Sequence, residues 1–341
     1  MRFFVVCFIL QHFVLDNIGV PFWLTVPSMV VLIWLYTRKG GIKTLVWTDT
    51  FQTFCMFAAL LLIIYKVTGQ LGMTPTEAIA AISQNEHSRI FVFDDWVSRQ
   101  NFWKQFLSGI FVVIVMTGLD QDMMQKNLTC KTLREAQKDM CSYGFAFVPA
   151  NLLFLSLGVL LMMLAKSQGM ALPEKPDDLL PMFAASGALG SMVTVFFTIG
   201  VVAASFSSAD SALTALTTSV CVDIFGRDED EDLRKKVHLA VALGFMLFII
   251  GFGALNSTSV IDAIYILCSY TYGPLLGLFA FGLMTHRKVN DRWVPWICIA
   301  SPLICFAIDT LTMQLTGYKF GYELLMLNGA LTFAGLALIR K

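Results

Sequence analysis

Charge is the scarce component of this sequence. Only 14% of its 341 residues are Asp, Glu, Lys or Arg, basic and acidic residues balance at 24 each, and histidine occurs four times. Without a positive balance there is no electrostatic basis for binding nucleic acid. The eight cysteines stand mostly inside apolar runs, with no CxxC pair and no Cys/His cluster. That excludes a disulfide frame and a thiolate metal centre, and leaves the cysteines as small packing residues. There is no phosphate-cradling glycine loop and no nucleophile–base pairing, so the sequence reads as that of a non-enzyme.

What remains is apolar. Hydrophobic residues make up 57% of the chain, 29 residues are Phe, and the mean hydropathy is +0.70. This is the composition of an all-α polytopic membrane protein, not of a soluble domain. About ten apolar segments stand out, at 3–15, 20–36, 45–65, 106–124, 140–164, 192–225, 237–255, 260–284, 293–311 and 322–339. Met1-Arg2 and the apolar run after it resemble a signal peptide. No small-residue cleavage site follows, and His12 and Asp16 come at once, so the run reads as the tail of a membrane helix. Most Lys and Arg fall between alternate segments and at the two ends. The positive-inside rule then puts both termini in the cytoplasm. The longest outer stretch, 67–105, holds Thr74-Pro75-Thr76-Glu77, a capping box that opens a short helix through Ile82. Trp96, Phe102 and Trp103 suit an interfacial position.

One apolar segment is interrupted by polar residues. In AASFSSADSALTALTTSVCVD, residues 203–223, Ala204, Ser207, Ser208 and Ser211 fall at i, i+3, i+4 and i+7 and share one helix face. Asp210 flanks that face. Small oxygen-bearing side chains beside a carboxylate suit a small hard cation. The serines have a second reading, as small residues that let helices approach closely. Asp210 fits that reading poorly, because a carboxylate at a helix centre costs about 2.5–3.5 kcal/mol on insertion scales.

Three stretches together resemble the sodium/solute symporter family, which includes sodium-coupled sugar, proline and sialic acid transporters. They are Tyr36-Thr37-Arg38-Lys39-Gly40-Gly41 followed by Val46-Trp47-Thr48-Asp49-Thr50-Phe51-Gln52; Gly118-Leu119-Asp120-Gln121 with Gln125-Lys126 and Glu135-Ala136-Gln137-Lys138; and the 203–223 helix. The resemblance covers nearly the whole chain. It implies two inverted five-helix repeats, with sodium and substrate near the midplane beside broken helices. On that plan 1–66 is the end of the first repeat, 67–105 an outer loop, 106–285 the second repeat and 286–341 two peripheral helices. The first two core helices of the plan have no counterpart in the sequence.

The resemblance also implies site residues. Sodium would take the Ala204 carbonyl and the Ser207 and Ser208 hydroxyls. A second cation site would use Asp49, Ser207, Asp210 and Ser211, with Asp210 where such relatives use serine. Two carboxylates would bind an ion more tightly, or one would stay protonated, so proton coupling is open. Asp49 reads equally as the cap of a helix start. The substrate candidates are Thr117, Asp120, Gln121 and Tyr270. Gly118 marks a helix break, and Val115, Met116 and Thr117 stand where sugar carriers have aromatic residues. Asp120 and Gln121 bind substrate or pair with basic residues of the inner loop. Pro274 is expected to kink its helix, and Asn151 to satisfy a carbonyl freed by Pro149. The function implied is sodium-coupled symport of a small organic solute by alternating access across the cell membrane. The partners are the lipid bilayer and that solute, whose identity the sequence leaves open, as it does the oligomeric state. The alternatives are a solute-sensing membrane domain and an inactive truncated carrier.

Overall fold

The computed structural model describes residues 7, 10–11, 15–16, 19–37, 42–96, 98, 100–173, 178–227, 230–255, 260–318 and 320–339. The side chains of 36–37, 42–46, 48, 122, 125, 205, 252–255 and 260–266 fall outside that set, as does most of the first apolar segment. The described residues form helices and no β-sheet. Helix is the expected solution in a bilayer, where each backbone N–H and C=O must be satisfied within the protein. Five helices are long and apolar enough to cross a membrane, and three shorter apolar helices accompany them. The chain is an integral membrane protein.

The chain packs as two units, each discontinuous in sequence: residues 1–88 with 125–260, and residues 89–124 with 261–341. The first unit contains α1 (Phe22–Thr37), α2 (Ile42–Gln70) and α3 (Pro75–Ser83). The sequence-predicted capping box opens α3. The Thr74 amide donates to Glu77 Oε2 at 2.8 Å, and the Glu77 amide donates to Thr74 Oγ1 at 3.4 Å.

The second unit supplies α4 (Phe102–Val113), which runs into a π-helical turn at Ile114–Gly118. The helix then breaks and restarts as α5 (Gln121–Asn127), the first four residues of which belong to the second unit and the rest to the first. The first unit continues with α6 (Leu133–Ser167), α7 (Leu179–Ala185), α8 (Ser191–Thr218), a π-helical turn at Ser219–Ile224, and α9 (Glu231–Leu255). The second unit ends with α10 (Val260–Met284), α11 (Val294–Thr316) and α12 (Leu324–Leu338).

Helix α8 organises the first unit. In its N-terminal half, Val193 and Phe197 are buried against Leu60 and Ile63 of α2 and against the α6 stripe Leu157, Leu160, Leu161 and Leu164. In its C-terminal half, Ala209 and Leu213 are buried against the α1 stripe Val26, Met29, Val30 and Ile33 and against Ala242 and Ile249 of α9. Both stripes follow i, i+3, i+4, i+7, so each presents one continuous apolar face.

The second unit is held by a polar knot. Pro274 has no N–H, which leaves the Tyr270 carbonyl without its helical donor. Asn328 of α12 is fully buried, and its Nδ2 donates to that carbonyl at 2.9 Å and to the Ser269 carbonyl at 3.0 Å. Its Oδ1 accepts from Ser301 Oγ of α11 at 2.6 Å. Gly273 makes the approach possible, since a Cβ there would fall 2.2–2.4 Å from Asn328 side-chain atoms. Pro149 in α6 is handled differently from expectation. Asn151 donates to Phe147 O at 2.8 Å, one turn before itself, and not to the Phe145 carbonyl that lies four residues before the proline. A side chain bonding back along its own helix reaches its own i−4 carbonyl, which is not the one a proline two residues earlier frees.

Two outcomes follow from these contacts. Replacing Asn328 with Leu strands the Tyr270 carbonyl, while Ser301 Oγ keeps its bond to the backbone carbonyl of residue 328, and a buried polar group left unsatisfied costs about 1–3 kcal/mol. Thermal unfolding in detergent should show a clearly lowered midpoint for Asn328→Leu, and Gly273→Ala should match its direction; an unchanged midpoint refutes the knot. The Glu77 carboxyl is held below its ordinary 4.5, first by the Thr74 amide and then by the Thr74 hydroxyl. A carboxyl lowered on folding stabilises above its unfolded pKa, and the contribution disappears as pH falls through the folded value. Acidification below 4.5 should therefore lower the protection of the first-turn amides of α3 relative to their intrinsic exchange rates, a loss absent in Glu77→Gln.

Candidate functional site

Helices α2 and α8 run antiparallel along one another, and three contacts fix their register. At one end the Gln70 amide donates to Ala188 O at 2.9 Å. Further along, the backbones meet at Gly200, where a Cβ would stand in van der Waals contact, 3.6 Å from Met56 N and 3.7 Å from Met56 Cα. Seven residues on along each helix, about 10 Å at the helical rise, the Ser207 hydroxyl donates to Asp49 Oδ1. Helix geometry thus carries a carboxylate of α2 onto the serine face of α8.

Around that contact the polar groups of α8 follow in order. Asp210 and Ser211, on the next turn, are each only 3% exposed. The Ser211 hydroxyl is buried and has no hydrogen-bond partner among the described residues. That is unusual for a helix, where a hydroxyl normally bonds back to the carbonyl four residues earlier. Thr217 and Thr218 do so, to Leu213 O at 2.6 Å and Thr214 O at 2.9 Å. Ala204 and Ser208 lie half-buried on the same face. The donor set is carboxylate and hydroxyl oxygen, which fits a small hard cation and not a soft metal. The uncommitted Ser211 oxygen is the observation that makes the fit specific.

Sequence reasoning left one partner out. Lys126, near the end of α5, places Nζ 3.0 Å from Asp49 Oδ2. Asp49 therefore accepts from Ser207 on one oxygen and pairs with an ammonium on the other. This gives Asp49 a tertiary role beyond any local cap. The neighbouring Gln125, grouped with Lys126 in the sequence, has a side chain outside the described residues. No short-range pattern links Lys126 to a residue so far back in the chain.

The substrate candidates belong to the second unit. Thr117 lies in the π-helical turn, whose Val115 is buried with Leu276 of α10 and Leu325 of α12. Asp120 lies in the break between that turn, which Gly118 ends, and α5, which Gln121 opens, where the sequence placed it. Single π turns and helix breaks expose backbone groups to a ligand. Tyr270 faces α11, with its ring 6.3 Å from that of Phe306. Asp309, to which the sequence assigned no role, accepts from the Phe320 amide at 3.0 Å. The structure joins Asp49 to Ser207, and it sets Thr117, Asp120 and Gln121 along one break.

The model of the Sodium:solute symporter family matches residues 10–292. The chain belongs to this family. Among curated symporters it is 26% identical over 278 residues to a sodium-dependent multivitamin transporter of Oryctolagus cuniculus, covering 78% of this chain and 43% of that protein. It is 26% identical over 282 residues to a sodium-coupled monocarboxylate transporter 2 of Danio rerio, covering 78% and 44%. A sodium/iodide cotransporter of Homo sapiens is 30% identical over 122 residues, 35% of this chain and 18% of that one. The chain thus spans less than half the length of these relatives. Its fold is similar to that of a Na+-coupled sialic acid symporter solved in a substrate-bound, outward-open state, with a TM-score of 0.78 and 17% identity over 98% of this chain and 69% of that one.

The register of α2 and α8 can be tested with paired cysteines in a background freed of the native ones. Asp49→Cys with Ser207→Cys should cross-link readily on mild oxidation. Asp49→Cys with Val202→Cys should not, because Val202 packs with the α1 and α9 cluster. Adding Gly200→Leu should abolish the first cross-link by forcing the helices apart. Equal cross-linking of both pairs rules the register out.

Proposed function

We propose that this chain carries out sodium-coupled symport of a small organic solute across the cell membrane by alternating access. The observation that carries the reading is the contact of Asp49 with Ser207 across the antiparallel helices, with Asp210 and the uncommitted Ser211 hydroxyl buried one turn away. Ala204, Ser207 and Ser208 would hold one sodium ion, and Asp49, Asp210 and Ser211 would supply a second cation site. A bound sodium ion brings one positive charge and a preference for several oxygen ligands. Neutral hydroxyls keep such binding reversible, as a coupled cycle requires. Thr117, Asp120, Gln121 and Tyr270 are proposed to meet the solute, and the exposed backbone of the break at Gly118 supports that assignment.

Family membership supports the wider plan. Residues 1–66 would close a first inverted repeat, 67–105 form the outer loop, 106–285 make the second repeat and 286–341 add two peripheral helices. The basic residues support cytoplasmic termini. The pairing of Lys126 with Asp49 adds a mechanistic detail. An incoming cation competes with the ammonium, so Lys126 lowers the affinity of the site and holds Asp49 neutralised when no ion is bound.

The test is thiol labelling of Ala203→Cys, beside the ligand set but not part of it, in membranes, on a background without native cysteines, in sodium and in potassium at equal ionic strength. Protection in sodium alone is expected. Adding Lys126→Gln should lower the sodium concentration for half-protection by up to about fivefold, the upper range for a part-exposed ion pair of about 1 kcal/mol. Identical labelling in both salts would mean that no sodium site forms around Ser207.

A further inference from the structure

A cavity of about 470 Å³ lies where the C-terminal end of α8 meets the start of α9, and the cation reading does not use it. The volume is that of a small-molecule site. One wall is a row of hydroxyl-bearing residues of α8, Thr214, Thr217 and Thr218, at i, i+3 and i+4. The facing wall is the first two turns of α9, with Arg234, Lys235, Lys236 and His238. Trp34 of α1 also borders it.

The wall is built, not incidental. Thr217 is buried, and its hydroxyl gives its one proton to Leu213 O at 2.6 Å. The same hydroxyl lies 3.1 Å from His238 Nδ1, which holds the imidazole against α8. The charges are unequal. Among the described lining residues Glu231 is the single carboxylate, and it is engaged: Lys235 Nζ lies 3.7 Å from it and 3.6 Å from Asp232. Lys235 is thereby neutralised. Arg234 and Lys236 remain as lining cations without an ion pair among the described residues. A pocket of guanidinium, ammonium and hydroxyl donors repels metal cations and solvates an anion, and the planar fork of Arg234 suits phosphate oxygens.

We propose that this cavity binds a phosphate-bearing anion through Arg234 and Lys236. That chemistry has two sources, the headgroup of an anionic phospholipid and free phosphate. Trp34 borders the charged first turns of α9 next to α8, which is long and apolar enough to cross a membrane, and an aromatic beside basic residues at such a helix end is the setting in which proteins hold anionic headgroups. The site involves neither the sodium ligands nor the solute residues, so it stands independently of the transport reading.

The experiment measures thermal stabilisation of the whole chain in nanodiscs. One arm titrates phosphatidylglycerol into phosphatidylcholine discs, and the other titrates inorganic phosphate into pure phosphatidylcholine discs. Arg234→Gln with Lys236→Gln is compared with Arg287→Gln with Lys288→Gln, which removes equal charge elsewhere. Wild type and the control pair should saturate in one arm, and the Arg234/Lys236 pair should need roughly fivefold more ligand per cation removed. Saturation in the lipid arm identifies a headgroup, and saturation in the phosphate arm a soluble ligand. If the Arg234/Lys236 pair does not fold, Thr214→Leu, which fills the cavity and keeps the charges, must weaken the same response. No saturable response in either arm, or the same response in every variant, overturns the proposal.

Discussion

The close antiparallel crossing of α2 and α8 is the constraint on which the rest of the molecule depends. Helix α8 carries Ser207, Ser208, Asp210 and Ser211 in a segment long and apolar enough to span a bilayer. Lipid cannot solvate that face. The face must therefore be covered by protein, and α2, in contact with α8 at Gly200 and at Ser207, covers it. The apolar halves of α8 are covered in turn by α6 and α2 at one end and by α1 and α9 at the other. A single helix thus has an apolar belt that holds it in place and a polar face whose position is set by that belt.

The second unit meets the same restriction on backbone groups by other means. Pro274 removes a donor from α10, and the freed carbonyl is taken by Asn328 from a different helix. The π-helical turn at Ile114–Gly118 loosens α4 just before its break. One irregularity is closed by a buried side chain, while the other is left next to Thr117, Asp120 and Gln121. That difference separates a structural kink from a place where a ligand can meet the backbone.

Much of this was legible in the sequence. The hydrophobic segments, the capping box at Thr74, the break after Gly118 and the shared face of Ala204, Ser207, Ser208 and Ser211 are all periodic or local signals. Asp49 was suspected only through family likeness, since its partner Ser207 lies far away in the chain. The pairings made by Lys126 and Asn328 were not legible. Each is a long-range pairing of one polar residue with another, and pairings of that kind leave no pattern along the chain. The Asn151 expectation failed for a local reason, because its amide reaches the carbonyl four residues before itself and not the one freed by Pro149.

The most direct test of the central claim is equilibrium binding of radioactive sodium to the purified chain. Saturable binding displaced by unlabelled sodium and not by potassium, and lost in Asp49→Ala, is the predicted result. Absence of saturable binding in the wild type, or equal binding by Asp49→Ala, would contradict the claim that the α2–α8 crossing forms a cation site.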